Sequence, residues 1–255
     1  MLKLAEIEEA FGISSATARR MCVELEKQGK VLRCFGGIQS LPQFSAGAEL
    51  PASERAYQQH ANEYLAEKQI IAQESAQYVG NNNIIFISSG TTTYQFALAL
   101  AARIRRGELH DIVVMTNSFA HAEALGKDAR VILTGGDYRP IRRDLSGIIC
   151  EKSLSKSSFD KAFIGVDGID VQGGLMTFDL ETARIDQIVL THSAHTYILT
   201  DHSKFERSSF ISYSTIEEKC TIVTDAELSD EIVARARKAE LDLVMAGVKQ
   251  MKNDD

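Results

Sequence analysis

The chain has 255 residues, of which 44% are hydrophobic and 25% charged, with a formal net charge of −7. That is ordinary globular composition, which excludes a disordered or fibrous chain. No stretch approaches the roughly 18 consecutive apolar residues of a membrane span. The acidic start, with Glu6, Glu8 and Glu9, is unlike a signal peptide, so a cytoplasmic protein without membrane contact is expected. Cys22, Cys34, Cys150 and Cys220 show no C-x-x-C pair and read as reduced thiols, with no metal site and no cofactor indicated.

The charge is unevenly placed. Residues 1–60 carry seven Lys/Arg and seven Asp/Glu, so the whole −7 falls on residues 61–255. Within 11–40, Arg19, Arg20, Lys27, Lys30 and Arg33 face only Glu24 and Glu26, a locally basic stretch on an acidic body. Such a stretch is compatible with DNA contact through the N-terminal segment alone.

The elements follow in chain order. Leu4, Ile7, Ala10 and Phe11 have helical spacing that stops at Gly12. A second helix opens at Ser14 or Ser15, with Ala18, Met21, Cys22 and Leu25 as its apolar stripe. Thr17, Arg20, Glu24 and Lys27 form its polar face, and Arg19 lies beside them. This is helix-turn-helix spacing, in which the second helix enters the major groove; spacing alone leaves an ordinary αα-hairpin equally open. Lys30–Phe35 followed by Gly36-Gly37 reads as a strand and tight turn suited to a basic wing. Pro42, Ser45, Gly47, Pro51 and Ser53 mark residues 41–66 as a linker grading into a helix from about Glu54. The division is therefore 1–40, a helix pair with a wing-like hairpin; 41–66, a linker; and 67–255, a larger domain.

From Lys68 helices alternate with short apolar runs. Helices are expected at Gln69–Val79, Tyr94–Arg106 and Ala120–Leu125, and strands at Ile84–Ile87, Ile112–Met115, Val131–Leu133, Ala162–Val166, Tyr197–Leu199 and Thr221–Val223. This alternation predicts an α/β domain with a mostly parallel sheet covered on both faces. A polar loop follows nearly every strand: Ser88–Thr93, Thr116–Ser118, Thr134–Asp137, Gly165–Gly168 and Thr200–Lys204. Ligands of open α/β sheets lie outside the carboxyl ends of the strands, so these loops should converge. Ser89-Gly90-Thr91-Thr92-Thr93 combines a helix start with hydroxyl donors, which suits phosphate, although an ordinary N-cap and turn explains the loop taken singly. Asn117 and Lys204 add donors, while Asp167, Asp170 and Glu181 suit sugar hydroxyls. Neither G-x-x-x-x-G-K-[ST] nor G-x-G-x-x-G occurs. His192 and His195, three apart on an expected helix, lack a carboxylate in register for a metal.

These motifs together resemble the DeoR-type transcriptional repressors of carbohydrate operons. The resemblance rests on Ser14–Arg20, Leu25-Glu26, Gly29, Arg33 and Gly36-Gly37, and then on Ser89–Thr92, Thr116–Ser118, Gly135-Gly136, Phe163–Gly165 and Asp201–Phe205 in order. It implies a winged helix-turn-helix joined to a domain similar to ribose-5-phosphate isomerase, with operator DNA and a phosphorylated sugar as partners and a homo-oligomer as the working form. By that resemblance Gly90–Thr93 hold the phosphate, Lys204 assists, Asn117, Gly135 and Gly136 line the site, and Asp167, Asp170 and Glu181 take the sugar. Ser15, Thr17, Arg19, Arg20, Lys27 and Arg33 contact DNA. Three departures stand out. Gln172-Gly173-Gly174 replaces the lysine that precedes the isomerase's glycine run, Met21-Cys22 replaces Asp-Leu, and the family's first helix has no counterpart before Leu2, which leads us to expect weak DNA binding. The alternative is a sugar-phosphate isomerase or deaminase-like enzyme with Glu181 as base and Lys204 on the phosphate.

Overall fold

The computed structural model describes residues 2–27, 31–34, 37–40, 60–140, 142–172 and 174–247. The chain divides into two compact units, Met1–Ala52 and Ser53–Asp255.

In the first unit β1 (Leu2–Lys3) leads into α1 (Leu4–Phe11), and a turn through Gly12 leads into α2 (Ser15–Lys27). Ser14 rather than Ser15 caps α2, its Oγ accepting from Thr17 N at 3.3 Å. Strands β2 (Val31–Cys34) and β3 (Gly37–Ser40) form an antiparallel hairpin, and β1 adds to β3 with Leu2 opposite Ile38. Ile7, Ala18 and Cys22 form the small core, with Leu4 and Ile13 against it. Met21 does not join the apolar stripe the spacing predicts: it is 44% exposed, because Cys22 takes the inward position beside it. Phe11 is exposed too, and the first strand is an element the helical reading from Leu4 did not foresee.

The second unit alternates helix and strand. Its helices are α3 (Leu65–Ala76), α4 (Thr91–Arg105), α5 (Phe119–Leu125), α6 (Gly147–Leu154), α7 (Leu180–His192) and α8 (Asp230–Lys238). Between them run β4 (Ile84–Ile87), β5 (Val113–Thr116), β6 (Arg130–Leu133), β9 (Phe159–Gly165), β12 (Ser193–Leu199), β14 (Cys220–Thr224) and β15 (Asp242–Met245). These seven make one parallel sheet in the order β15-β14-β12-β9-β4-β5-β6.

Strand side chains alternate between two cores, as the period of two requires. Phe86, Ile164, Ile198 and Ile222 pack towards α6, α7 and α8, whereas Ile85, Ile87, Phe163, Leu199 and Val223 pack towards α3, α4 and α5. Two additions escaped the strand pattern: the hairpin β7 (Asp137–Arg139) with β8 (Asp144–Ser146), and a small antiparallel sheet of β10 (Gly168–Asp170), β11 (Gly174–Thr177) and β13 (Ile211–Ser214).

Residues 60–62 are helical and α3 begins at Leu65; 41–59, which hold most of the expected linker, lie outside the described residues. One expectation needs correction. His192 and His195 do not share a helix. His192 ends α7, while His195 lies in β12 with its Nε2 2.8 Å from Thr221 Oγ1, because Ser193 turns the chain directly into strand.

Candidate functional site

Strand β4 marks the place where the sheet order reverses, with β5 and β6 on one side and β9, β12, β14 and β15 on the other. The crevice beyond the carboxyl ends of β4 and β9 is thus the topological switch point, where α/β sheets hold ligands. The Ser88–Thr93 segment leaves β4 at this place, and Ser88 N donates to Phe163 O of β9 at 3.0 Å.

Ser89 is fixed twice: its N donates to Asn117 Oδ1 at 2.9 Å and its Oγ to Asp144 Oδ2 at 2.8 Å. The Gly90 carbonyl accepts from Tyr94 N (3.0 Å), Thr93 Oγ1 (3.1 Å) and His121 Nε2 (3.3 Å). Helix α4 starts at Thr91 with no side-chain cap, so its first N–H groups sit at the positive end of the helix without an internal acceptor. Helices α5, α7 and α8 are capped by Ser118, Asp179 and Ser229, whereas α3 and α6, like α4, have no side-chain cap. One expectation about the hydroxyls is corrected. Thr92 and Thr93 are buried and Thr93 bonds the Gly90 carbonyl, because helical geometry turns them inward; the half-buried Thr91 is the open one.

Asp144, fully buried, is met by a bidentate Arg139, whose Nε and Nη2 both lie at 2.8 Å. Arg139 Nη1 reaches Asp179 Oδ1 at 2.7 Å and Glu181 Oε2 at 3.1 Å. Ser146 Oγ donates to the same Glu181 oxygen. Burial acts to raise the pKa of Asp179, but Arg139 and Thr182 outweigh it and hold the group at about 2. Asp167 accepts from Thr177 Oγ1 (2.8 Å) and Phe178 N (3.0 Å), one strand from this network. Ser89, Gly90, Asn117, Asp167 and Glu181 are thus gathered by short polar links.

The remaining residues stand apart from those links. Asp170 accepts from Gln172 N at 2.8 Å within the β10–β11 turn, and Gly135 lies against Ile149. Gly136 packs on the Ser146 backbone. Lys204 ends a 3-10 turn (His202–Lys204) at the carboxyl end of β12, held by Asp201 Oδ1 accepting from Ser203 N at 3.1 Å. Lys68, a 4% exposed lysine on α3, has its pKa lowered by burial and by the like charge of Lys204, with Asp201, Glu63 and Glu67 opposing. Arg139, Asp144, His121 and Lys68 were missed from sequence. A lysine on the Leu65-Ile71-Ala72 face of α3 was the available signal for the last.

Two buried groups titrate in opposite directions. Burial lowers the pKa of His121 from 6.5 to about 4, partly offset by its bond to the Gly90 carbonyl. Burial raises that of Asp186 on α7 from 3.8 to about 7, partly offset by Ser88 Oγ donating at 3.2 Å and by Tyr213 and Arg142, while Asp167 adds to the rise. Between pH 6.5 and 4 the unfolded chain binds the extra proton at His121, so acid costs stability; at Asp186 the folded chain binds it, so acid adds stability. The two cancel to first order. Asp186→Asn removes one side of the balance, and urea titrations at stepped pH should show the variant losing about 3 kcal/mol between pH 6.5 and 4 beyond any loss in the parent.

In the first unit Ser15, Arg19 and Arg20 are exposed on α2, and Thr17 Oγ1 lies 2.9 Å from Ser14 Oγ. The side chains of Lys27 and Arg33 lie outside the described residues, as do Gly29, Lys30 and Gly36.

A helix-turn-helix with its following hairpin, succeeded by an α/β unit whose loops gather at a switch point, is the layout of a DNA-binding regulator with a sensor domain. Residues 1–44 match the DeoR-like helix-turn-helix domain and residues 63–226 the DeoR C-terminal sensor domain. The chain belongs to the DeoR family of transcriptional regulators. It is 33% identical over 226 residues to the glycerol-3-phosphate regulon repressor of Escherichia coli K12, covering 87% of this chain and 83% of that one. It is 28% identical over 235 residues to the lactose phosphotransferase system repressor of Staphylococcus aureus, covering 91% and 88%. Ribose 5-phosphate isomerase A of Methanocaldococcus jannaschii is similar at 20% identity, with a TM-score of 0.42, over 56% of this chain and 55% of that one. No helix among the described residues is long and apolar enough to cross a membrane.

Proposed function

We propose that this DNA-binding regulator represses sugar-catabolic genes and that a phosphorylated sugar, bound at the carboxyl edge of the parallel sheet, sets its operator affinity. The observation that carries this reading is the uncapped start of α4 at the switch point, beside a Ser89 whose amide and hydroxyl are both anchored. Gly90 and Thr91, with the backbone of Thr92 and Thr93, receive the phosphate, Ser89 fixes the loop that presents them, and Lys204 supplies charge. Asn117, Gly135 and Gly136 shape the loops around it; Asp167, Asp170 and Glu181 take the hydroxyls. The names of the two repressor relatives, which refer to glycerol 3-phosphate and to a phosphotransferase system, agree with a phosphorylated effector. Enzymatic use of the same carboxylates is disfavoured, since Glu181 is held by Ser146 and Arg139.

Thermal-shift measurement against matched pairs of phosphorylated and free sugars tests the reading. A ligand at one hundred times its Kd adds about 2.7 kcal/mol, and only phosphorylated members should raise Tm. No response to any phosphorylated sugar would refute the proposal.

On DNA, Arg19 and Arg20 reach phosphates or guanine edges, Ser15 and Thr17 position the helix start, and Lys27 and Arg33 add backbone contacts. A homo-oligomer places two such helices on paired half-sites. In a gel-shift titration Arg20→Ala should weaken operator binding by about 1–3 kcal/mol, selectively at one base pair or uniformly across sequences according to its contact.

A further inference from the structure

We propose that Lys68 is a latch that holds residues 60–64 and that the phosphate of a bound effector draws away, so that binding is passed to the segment leading to the DNA reader. The proposal rests on the reading that phosphate occupies the start of α4.

Lys68 lies on the buried face of α3, and backbone oxygens hold its ammonium. Its Nζ donates to two neutral carbonyls, His60 O at 2.5 Å and Glu63 O at 2.7 Å. These groups close the short helical turn at 60–62, after which Tyr64 takes a left-handed backbone with φ 53°. Two of the ammonium's donors serve these carbonyls. Burial lowers the Lys68 pKa and the like charge of Lys204 lowers it further, while Asp201, Glu63 and Glu67 oppose this. A doubly charged phosphate at the start of α4 would compete with these carbonyls for the buried ammonium. A hydrogen bond from the ammonium to a phosphate oxygen carries charge on both partners, whereas those to the carbonyls carry it on the donor alone.

The held segment also borders the candidate phosphate site. Ala61, Asn62 and Leu65 line a cavity of about 260 Å3 together with Thr91 and Tyr94 from the first turn of α4. Tyr64 sets its ring edge-on to His202, 5.1 Å between centroids, and His202 Nδ1 lies 2.9 Å from Asp225 Oδ1. Residues 60–64 are thus tied at two points, the Lys68 ammonium and the Tyr64 ring. In sequence, residues 41–59 connect this segment to the hairpin of the first unit.

Hydrogen–deuterium exchange of the full chain, with and without millimolar inorganic phosphate, tests the latch. The expected result is slower exchange in peptides covering 89–95 together with several-fold faster exchange in 60–66. Slowing at 89–95 with 60–66 unchanged or slower would overturn the latch while leaving the proposed function standing. No change at 89–95 would overturn both. In Lys68→Met, peptides 60–66 should exchange about tenfold faster without phosphate and gain nothing from it; wild-type rates there would refute the latch. Lys68→Arg, which keeps donors for the two carbonyls, should behave as wild type, and with the wild-type comparison it decides the matter if the methionine variant does not fold.

Discussion

Arg139→Met is expected to lower the unfolding free energy of the second unit by about 3–5 kcal/mol, read from urea denaturation. The cost comes from Asp144, a carboxylate with no exposed surface that loses both arms of its bidentate partner. Arg142 Nε, 3.7 Å away and partly open to solvent, is too distant to replace them. Removing the stranded charge as well, in Arg139→Met with Asp144→Leu, should recover much of the loss, because the penalty lies in an unpaired buried ion rather than in the missing attraction. The double variant should still fail to respond to phosphorylated sugars, since Asp144 also holds Ser89 Oγ. Recovery of stability together with a full ligand response would show that the anchoring of Ser89 is dispensable.

Gly136→Ala should cost about 2–5 kcal/mol, the sum of left-handed backbone strain and overpacking. Its φ is 124°, and an added Cβ would overlap the Ser146 carbonyl oxygen and stand 3.2 Å from Cys150 Cβ. Gly135 is the control. At φ 74° it shares the strain, but its Cβ would meet Ile149 at an ordinary 3.5 Å, so Gly135→Ala should cost only about 1–2 kcal/mol. Equal midpoints for the two variants in urea would contradict the packing argument. Gly136 thereby gains a reason that needs no ligand: it lets the turn after β6 press against the start of α6.

The loops that follow β4, β5 and β9 were readable from sequence because short apolar runs ending in Ser, Asn, Asp and Gly declare both the strand and its polar exit. The helix-turn-helix was readable from Ala18 and Cys22 and from the basic residues beside them. Arg139 and Asp144 were not, because their partnership depends on a three-residue hairpin with no hydrophobic alternation, and on Asp179, 40 positions from Arg139. Lys68 was passed over because an isolated lysine on a helix usually reaches solvent, and only the fold brings two carbonyls to it. Thr93 illustrates the opposite error. Its type suited an anion, but its place on the helix turned it inward.

The parallel sheet is joined in its middle by a short seam, three residue pairs from Ile85 with Lys161 to Ile87 with Phe163. On one side lie strands formed by residues 84–133, on the other strands formed by residues 159–245, so every bond across the seam waits on a long loop closure. A small molecule straddling it would add stitches between the two halves at their narrowest join. Metabolite supply would then govern the lifetime of the folded sensor as well as its output, and cells starved of the sugar would carry a regulator more readily cleared by proteolysis.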